Sequence, residues 1–302
     1  MQNSVRLKAF AKLNLMLKIN SVTDDGYHDM FMVNQSVSLF DELEVKKNSV
    51  NEINLLVKSE NTDKPSGIPK EKNLVYKLAK LMSGKYAGVN TGMDITLTKK
   101  IPEQAGLAGG SADAAGMIEA IDSLYGLKLG SGEKTYIAKS IGADVPFCLF
   151  GGSKIVEGIG ENLKDIDSDS FYYILIKPDA GMSTKSAFEE YDRIVGYPEG
   201  KFSGVGIKKD IRKIDITAIK ECFMNDFEKI MLSKFSELKS IKDRLYHTGA
   251  EFAQMTGSGT TVFGLYDKAA NRDLAFDILK KEYKNVYAAQ TADKGVEIIY
   301  EG

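Results

Sequence analysis

Between Pro102 and Gly116 the chain reads PEQAGLAGGSADAAG. Ahead of it, Met93–Lys99 alternates Ile95 and Leu97 with polar residues, as a strand does. Behind it, residues 111–125 carry Ala, Met, Ile and Leu at helical spacing, with Gly126 suited to end the helix. A strand, a small-residue loop and a helix in this order bring loop amides together at a helix N-terminus. Unpaired N–H groups and the helix dipole both favour an anion there, and small side chains let phosphates approach the backbone. The same residues also suit a tight loop that merely packs a helix on a sheet. Neither G-x-x-x-x-G-K-[ST] nor G-x-G-x-x-G occurs in the chain, which excludes the two commonest nucleotide fingerprints.

Outward from this loop, the other glycines are grouped as well. Of 28 Gly, one set lies at 142, 151, 152, 158 and 160 and another at 257, 259 and 264, each beside an apolar segment. Three such places in one chain suggest a site assembled from distant segments. Strands are expected over 5–19, 32–40, 43–45, 53–57 and 93–99, with a polar loop over 58–70 and a helix over 73–83 capped by Asn73. Beyond residue 160 a buried strand is expected over 172–177, then mostly charged helices over 183–245. A strand pair over 252–255 and 261–266, a helix over 269–282 and a last strand over 295–300 follow. The reading is a mixed α+β protein with units 1–160 and 161–302.

Composition narrows the function classes. The 302 residues carry 40 Lys+Arg against 42 Asp+Glu, a formal charge of −2, which argues against a general nucleic-acid binder. The longest unbroken apolar stretch is FYYILI (171–176), too short to cross a membrane, and the first residues carry charges where a signal peptide has its apolar core. Two cysteines make no disulfide framework, so a cytoplasmic location is expected.

Three further segments carry candidate chemistry. Lys12 and Asn14 share one face of the first strand, opposite Ala11, Leu13 and Leu15. Asp144 lies in the apolar segment IGADVPFCLF (141–150), where it either caps a helix before Pro146 or needs a charged partner. Brought together at a phosphate loop, the Asp would accept a proton from an attacking hydroxyl and the Lys would stabilise charge on a transferred phosphoryl group. Tyr27 and His28 end the turn DDGYH (24–28) and suit stacking on, or hydrogen bonding to, a nucleobase; an ordinary turn is the plainer reading. Gly257, Ser258 and Gly259 read as a turn between strands or as a backbone wall for substrate. His247 is read as a helix-end residue. Neither the two His nor the two Cys show metal-ligand spacing, so no protein metal site is expected.

Taken together, AKLNLMLKI (11–19), DDGYH (24–28), KKIPEQAGLAGGSADAA (99–115), GADVPFCLFGG (142–152), EGIGE (157–161) and TGSGTTVFGL (256–265) resemble the GHMP small-molecule kinases. The pairing of DGYH with GADVPF is similar to the branch acting on 4-diphosphocytidyl-2-C-methyl-D-erythritol. The resemblance covers nearly the whole chain and is weakest over 185–250. It implies a two-domain GHMP kinase fold, with an N-terminal domain like ribosomal protein S5 domain 2, a ferredoxin-like C-terminal domain and a site in the cleft between them. It implies ATP, with Mg²⁺, on Pro102, Glu103, Gln104, Ala105, Gly106, Leu107, Ala108, Gly109, Gly110, Ser111 and Ala112, and Asn73 near the adenine. Lys12 and Asp144 match the family's catalytic pair. Tyr27 and His28 match the cytosine-holding residues, with Asn14, Gly257, Ser258 and Gly259 on the substrate side. The implied reaction places the γ-phosphoryl group of ATP on the substrate's 2-hydroxyl. The partners expected are ATP and this small molecule, for a chain acting as monomer or homodimer. Mevalonate, homoserine or a sugar as acceptor, and a silent nucleotide-binding regulator, are the competing readings. The family loop usually reads GLGGGSS. Here Ala108 is expected to fit with negative φ, Ala112 leaves Ser111 to supply the hydroxyl, and Glu103 brings a carboxylate near the anion site.

Overall fold

The alternating first segment forms a 19-residue strand, β1 (Ser4–Val22), antiparallel to the 20-residue β2 (His28–Lys47). These elements belong to a computed structural model, which describes residues 3–24, 26–59, 69–89, 92–195 and 211–302. Residue 25, residues 60–68 of the expected loop and residues 196–210 of the expected helical stretch lie outside the described residues. The strands expected at 32–40 and 43–45 are one strand, because β2 changes partner along its length without ending. Its first half pairs with β5 (Ser153–Gly158) and its last six residues with β4 (Met93–Lys99). Parallel to β4 runs β3 (Ile53–Ser59), and β6 (Asn162–Asp165) continues from β5. The other edge of β1 takes β13 (Val296–Glu301), giving the order β13-β1-β2-β4-β3.

Helices α1 (Leu74–Lys85), α2 (Gly109–Tyr125), α3 (Ser131–Ile141) and α4 (Val145–Phe150) follow in this half. Asn73 caps α1 as expected, its Oδ1 accepting the Val75 N–H at 2.9 Å. Down the centre of α2, Gly116 lets the helix settle onto the sheet, since a Cβ there would stand 2.8 Å from Leu7 Cδ1. Gly126 ends that helix at φ 62°, a left-handed conformation that costs glycine little.

A second sheet, all antiparallel, has the order β10-β11-β8-β12, formed by β8 (Tyr172–Ile176), β10 (Phe252–Met255), β11 (Val262–Tyr266) and β12 (Val286–Gln290). Tyr173, Phe263 and Tyr266 are fully buried on it. Between and around these strands lie α5 (Thr184–Val195), α6 (Ile216–Cys222), α7 (Asp226–Lys234), α8 (Ser236–His247) and α9 (Ala269–Leu279), with a short parallel ladder of β7 (Asp167–Ser168) and β9 (Lys213–Ile214). The fold is α+β. The sequence reading carried the last helix to 282 and missed β12, whose five residues show little alternation. We keep 1–160 and 161–302 as a proposal for the two units. β6 and β13, both beyond 160, are hydrogen-bonded into the first sheet, so the chain's last strand covers the edge of β1. Among the described residues no helix is long and apolar enough to cross a membrane.

Candidate active site

The register of β1 against β2 slips between Phe10 and Lys12 and again between Asn14 and Met16. Such bulges re-aim side chains, and here they bracket the two polar residues of an otherwise apolar strand. Lys12 is only 4% exposed, and its ammonium has two partners. Nζ donates to Asn14 Oδ1 at 2.9 Å and lies 3.0 Å from Asp144 Oδ1, while Asn14 Nδ2 donates to Asn34 Oδ1 at 2.7 Å. Asp144 occupies the N-cap position of α4, yet its side chain caps nothing. The carboxylate turns to Lys12 and keeps 39% of its side chain open. The plainer readings of both residues, a solvated lysine and a helix cap, therefore do not hold.

The glycine loop lies against this pair, with the Lys12 N–H donating to Leu107 O at 3.2 Å. No side chain caps the start of α2, so the first amides of a 17-residue helix are left for a ligand. Ala108 departs from expectation: its φ is +56°, in the left-handed region, because the chain must turn sharply into α2. Gln104 and Gly106 also have positive φ, at 50° and 74°. Gly106 is required for a second reason. A Cβ there would come within 2.3 Å of Thr256 O, and one on Gly257 within 3.1 Å of Gly106 O. The two glycine loops thus back one another, and Thr256 Oγ1 accepts the Asn14 N–H at 2.9 Å, tying the second loop to β1.

Beneath the loop, Asp41 Oδ1 accepts the amides of Lys100 (2.5 Å) and Ile101 (2.8 Å), and its other oxygen pairs with Lys99. Lys99 also pairs with Asp113 at 2.6 Å. Burial works against the Lys99 ammonium, but Asp113 and Asp41 outweigh it and hold its pKa above the usual lysine value. Burial pushes the Asp113 carboxyl well above the ordinary carboxylate range, and its Oδ1 has no hydrogen-bond partner.

One cleft of about 860 Å³ joins these parts. It is lined by Lys12, Asn14, Tyr27, His28, Asn73, residues 102–111, Asp144, Gly257 and Ser258, all named in the sequence reading. Two expected residues lie off it. Ala112 points into the apolar side of α2 and is fully buried, and Gly259 turns inward, where a Cβ would meet Met255 Sδ at 2.7 Å.

At the cleft's other end Tyr27 is 58% exposed, whereas His28 is only 8% exposed. The His28 ring stacks on Phe188 at 4.3 Å between centroids, and its Nε2 lies 2.8 Å from Asp192 Oδ1. Phe188 in turn sets its edge against Phe227 at 4.9 Å. Thr184 Oγ1 lies 3.2 Å from Ser258 Oγ, joining the start of α5 to the second glycine loop. Reasoning from sequence missed Thr184, Phe188 and Asp192. They look like ordinary positions of a charged amphipathic helix, Phe188 and Asp192 in the region of weakest resemblance and Thr184 at its edge. Among the described residues no group of three or more His, Cys, Asp and Glu is placed to hold a metal ion.

Comparison with known proteins identifies the family. Residues 73–152 match the GHMP kinases N terminal domain and residues 207–285 match GHMP kinases C terminal. The 4-diphosphocytidyl-2-C-methyl-D-erythritol kinase of Thermoanaerobacter pseudethanolicus is 38% identical over 294 residues, covering 97% of this chain and 98% of the relative. That of Clostridioides difficile is 36% identical over 299 residues, 97% of each chain. A crystal structure of 4-(cytidine 5'-diphospho)-2C-methyl-D-erythritol kinase superposes with a TM-score of 0.77 at 28% identity, over 95% of this chain and 99% of that one. A homoserine kinase from Cytophaga hutchinsonii shares the fold, with a TM-score of 0.73 at 18% identity over 99% and 98% of the two chains. The chain belongs to the GHMP kinase family, with 4-diphosphocytidyl-2-C-methyl-D-erythritol kinases as its near-full-length relatives.

Proposed function

We infer that this kinase transfers the γ-phosphoryl group of ATP to the 2-hydroxyl of 4-diphosphocytidyl-2-C-methyl-D-erythritol. The observation that carries the reading is the Lys12–Asp144 pair, 3.0 Å apart, in a cleft with an uncapped helix N-terminus at one end and an aromatic and histidine cluster at the other. Phosphoryl transfer needs positioning and charge stabilisation more than covalent help from the protein. The loop amides and the α2 N-terminus hold the phosphates of ATP. Asp144, the open member of the pair, orients the acceptor hydroxyl and takes its proton. Lys12, beside the carboxylate and held in place by Asn14, stabilises the negative charge that spreads over the phosphoryl oxygens in flight.

The residues present fit a nucleotide-borne Mg²⁺. That ion takes most of its ligands from phosphates and water and needs one or two protein oxygens, not a cage. Ser111 at the start of α2 would supply one, and the ion would neutralise phosphate charge. The acceptor assignment rests on Tyr27, His28 and Phe188 gathering at the far end of the cleft. ATP turnover against a panel of the diphosphocytidyl substrate, mevalonate, homoserine and galactose tests it. The expected result is turnover of the first alone; equal kcat/KM with any other acceptor overturns the assignment. Nucleotide binding with no turnover on any of them would favour a regulator.

A further inference from the structure

Behind the Lys12–Asp144 pair lies a buried amide to which the chemistry above gives no part. Asn34 belongs to the interior strand β2, directly opposite Asn14 on β1 and Lys154 on β5, and is fully buried. Its Oδ1 accepts from Asn14 Nδ2 at 2.7 Å, while its own Nδ2 has no hydrogen-bond partner among the described residues. The next residue, Gln35, is equally buried but satisfied at both ends of its amide. Nε2 donates to Ser153 Oγ at 2.6 Å, and Oε1 accepts from the Tyr173 hydroxyl at 2.7 Å. An orphaned buried donor costs free energy, and an apolar residue of the same shape would avoid that cost. Stability alone therefore does not account for an amide at Asn34, whose one hydrogen bond leads to the reacting groups.

The amide orientations follow from the lysine. An ammonium only donates, so Asn14 has to turn Oδ1 towards Lys12 Nζ, 2.9 Å away. Nδ2 then points the other way, and its two hydrogens need acceptors. They find Asn34 Oδ1 and, at 3.4 Å, Met32 Sδ. With the Asn34 amide reversed, two amino groups would face each other. The Asn14 backbone is fixed separately, by its N–H to Thr256 Oγ1. We propose that Asn34 is a positioning residue for phosphoryl transfer: its carbonyl oxygen locks the Asn14 side chain in the orientation that holds Lys12 against Asp144. Without that oxygen the Asn14 amide is free to swing into the cleft it lines, and Lys12 loses one of its two partners. A misplacement of about an ångström at a reacting centre costs up to about 10²-fold in rate. The proposal rests on the role given to Lys12 above.

Two variants separate positioning from packing. Asn34→Leu keeps the shape and removes the accepting oxygen; Asn34→Asp keeps both. Steady-state kinetics are read with whichever phosphoryl acceptor the parent turns over. Asn34→Leu is expected to lose about 10–100-fold in kcat at unchanged KM for ATP, and Asn34→Asp to recover most of that loss. A parental kcat in Asn34→Leu, or equal losses in the two variants, overturns the proposal. In an Asn14→Ala background Asn34→Leu should lower kcat no further, because residues that act as one unit are not additive. An undiminished second loss would show that Asn34 does not act through Asn14. Hydrogen exchange of the Asn14 side-chain amide, followed by nitrogen-15 NMR and assigned by its loss in Asn14→Asp, is independent of turnover. Slow exchange is expected in the parent and in Asn34→Asp, and fast exchange in Asn34→Leu. A parent in which this amide exchanges as fast as an exposed one overturns the proposal. Should Asn34→Leu fail to fold, the smaller Asn34→Val carries the same test. A parent inactive on every phosphoryl acceptor overturns the functional reading instead, while the exchange result still decides whether Asn34 holds Asn14.

Discussion

The two ends of the cleft are made of different material. The end proposed for phosphate is built from backbone: uncapped amides at the start of α2, positive-φ turns at Gln104, Gly106 and Ala108, and the carbonyl of Leu107 lying on β1. The end proposed for the base is built from side chains: the exposed Tyr27 ring, the buried His28, and Phe188 and Asp192 brought over it by α5. A backbone cradle tolerates changed side chains as long as its turns persist. This is how Ala108 can stand where the resemblance places glycine, whereas Ala112 faces away from the cleft. A side-chain pocket has no such tolerance, since each group makes a separate contact. Between the two ends, Lys12 and Asp144 combine a side-chain pair with backbone placement by the bulges of β1.

Substitutions can break this contrast. The largest effect is expected at Asp144→Asn, which removes the proposed proton acceptor without touching the amides at the start of α2. kcat should fall by about 10²–10⁴ while ATP affinity, measured by titration, stays near the parent value. A variant with parental kcat would remove Asp144 from the chemistry.

The support beneath the cradle comes next. Asp41→Ala leaves Lys99 short of a buried partner and orphans the amides of Lys100 and Ile101, so a loss of about 3–5 kcal/mol is expected by denaturant unfolding. Asp113→Asn should be mild by comparison and informative in its pH dependence. An acid with raised folded-state pKa binds its proton more tightly when folded. It therefore contributes stability at low pH that is lost as pH climbs from its unfolded value towards the folded one. Asn is neutral throughout, so the variant's stability relative to the parent should rise over that interval. A constant difference from acid to neutral pH would show that Asp113 does not titrate as burial requires.

At the base end, His28→Ala should raise KM for the cytidine substrate by roughly 10–100-fold and leave KM for ATP unchanged. Equal changes in both constants would mean that the two ends are not separate. The smallest effect is expected at Ala108→Gly. An L residue at φ +56° carries about 1–2 kcal/mol of strain that glycine does not, part of it offset by glycine's greater freedom when unfolded. A modest rise in Tm with little change in kcat would support a cradle made of backbone alone.

These residues also show what sequence reasoning can reach. The Asn73 cap, the α2 helix, its glycine end and the strand pair around the second glycine loop follow from local periodicity and turn chemistry, and all are found. The merging of two expected strands into β2 was out of reach, because it depends on β4 and β5 sharing one partner. The sign of φ at Ala108 was missed for a related reason. An alanine is assumed to avoid the left-handed region, and only the fit between loop, β1 and the Thr256 turn forces it there.

From the sequence alone came the family, the glycine loop with its flanking strand and helix, and the residue types able to move a proton and steady a phosphoryl group. These are encoded in short runs, where side-chain period and backbone propensity act over a few neighbours. The tertiary structure alone decided that Lys12 meets Asp144 and not solvent, that Ala112 and Gly259 face away from the cleft, and that His28 is buried against Phe188 and Asp192. Those partners lie far apart in the chain, and which groups meet depends on how bulged strands and docked helices come together, a property that no local pattern carries.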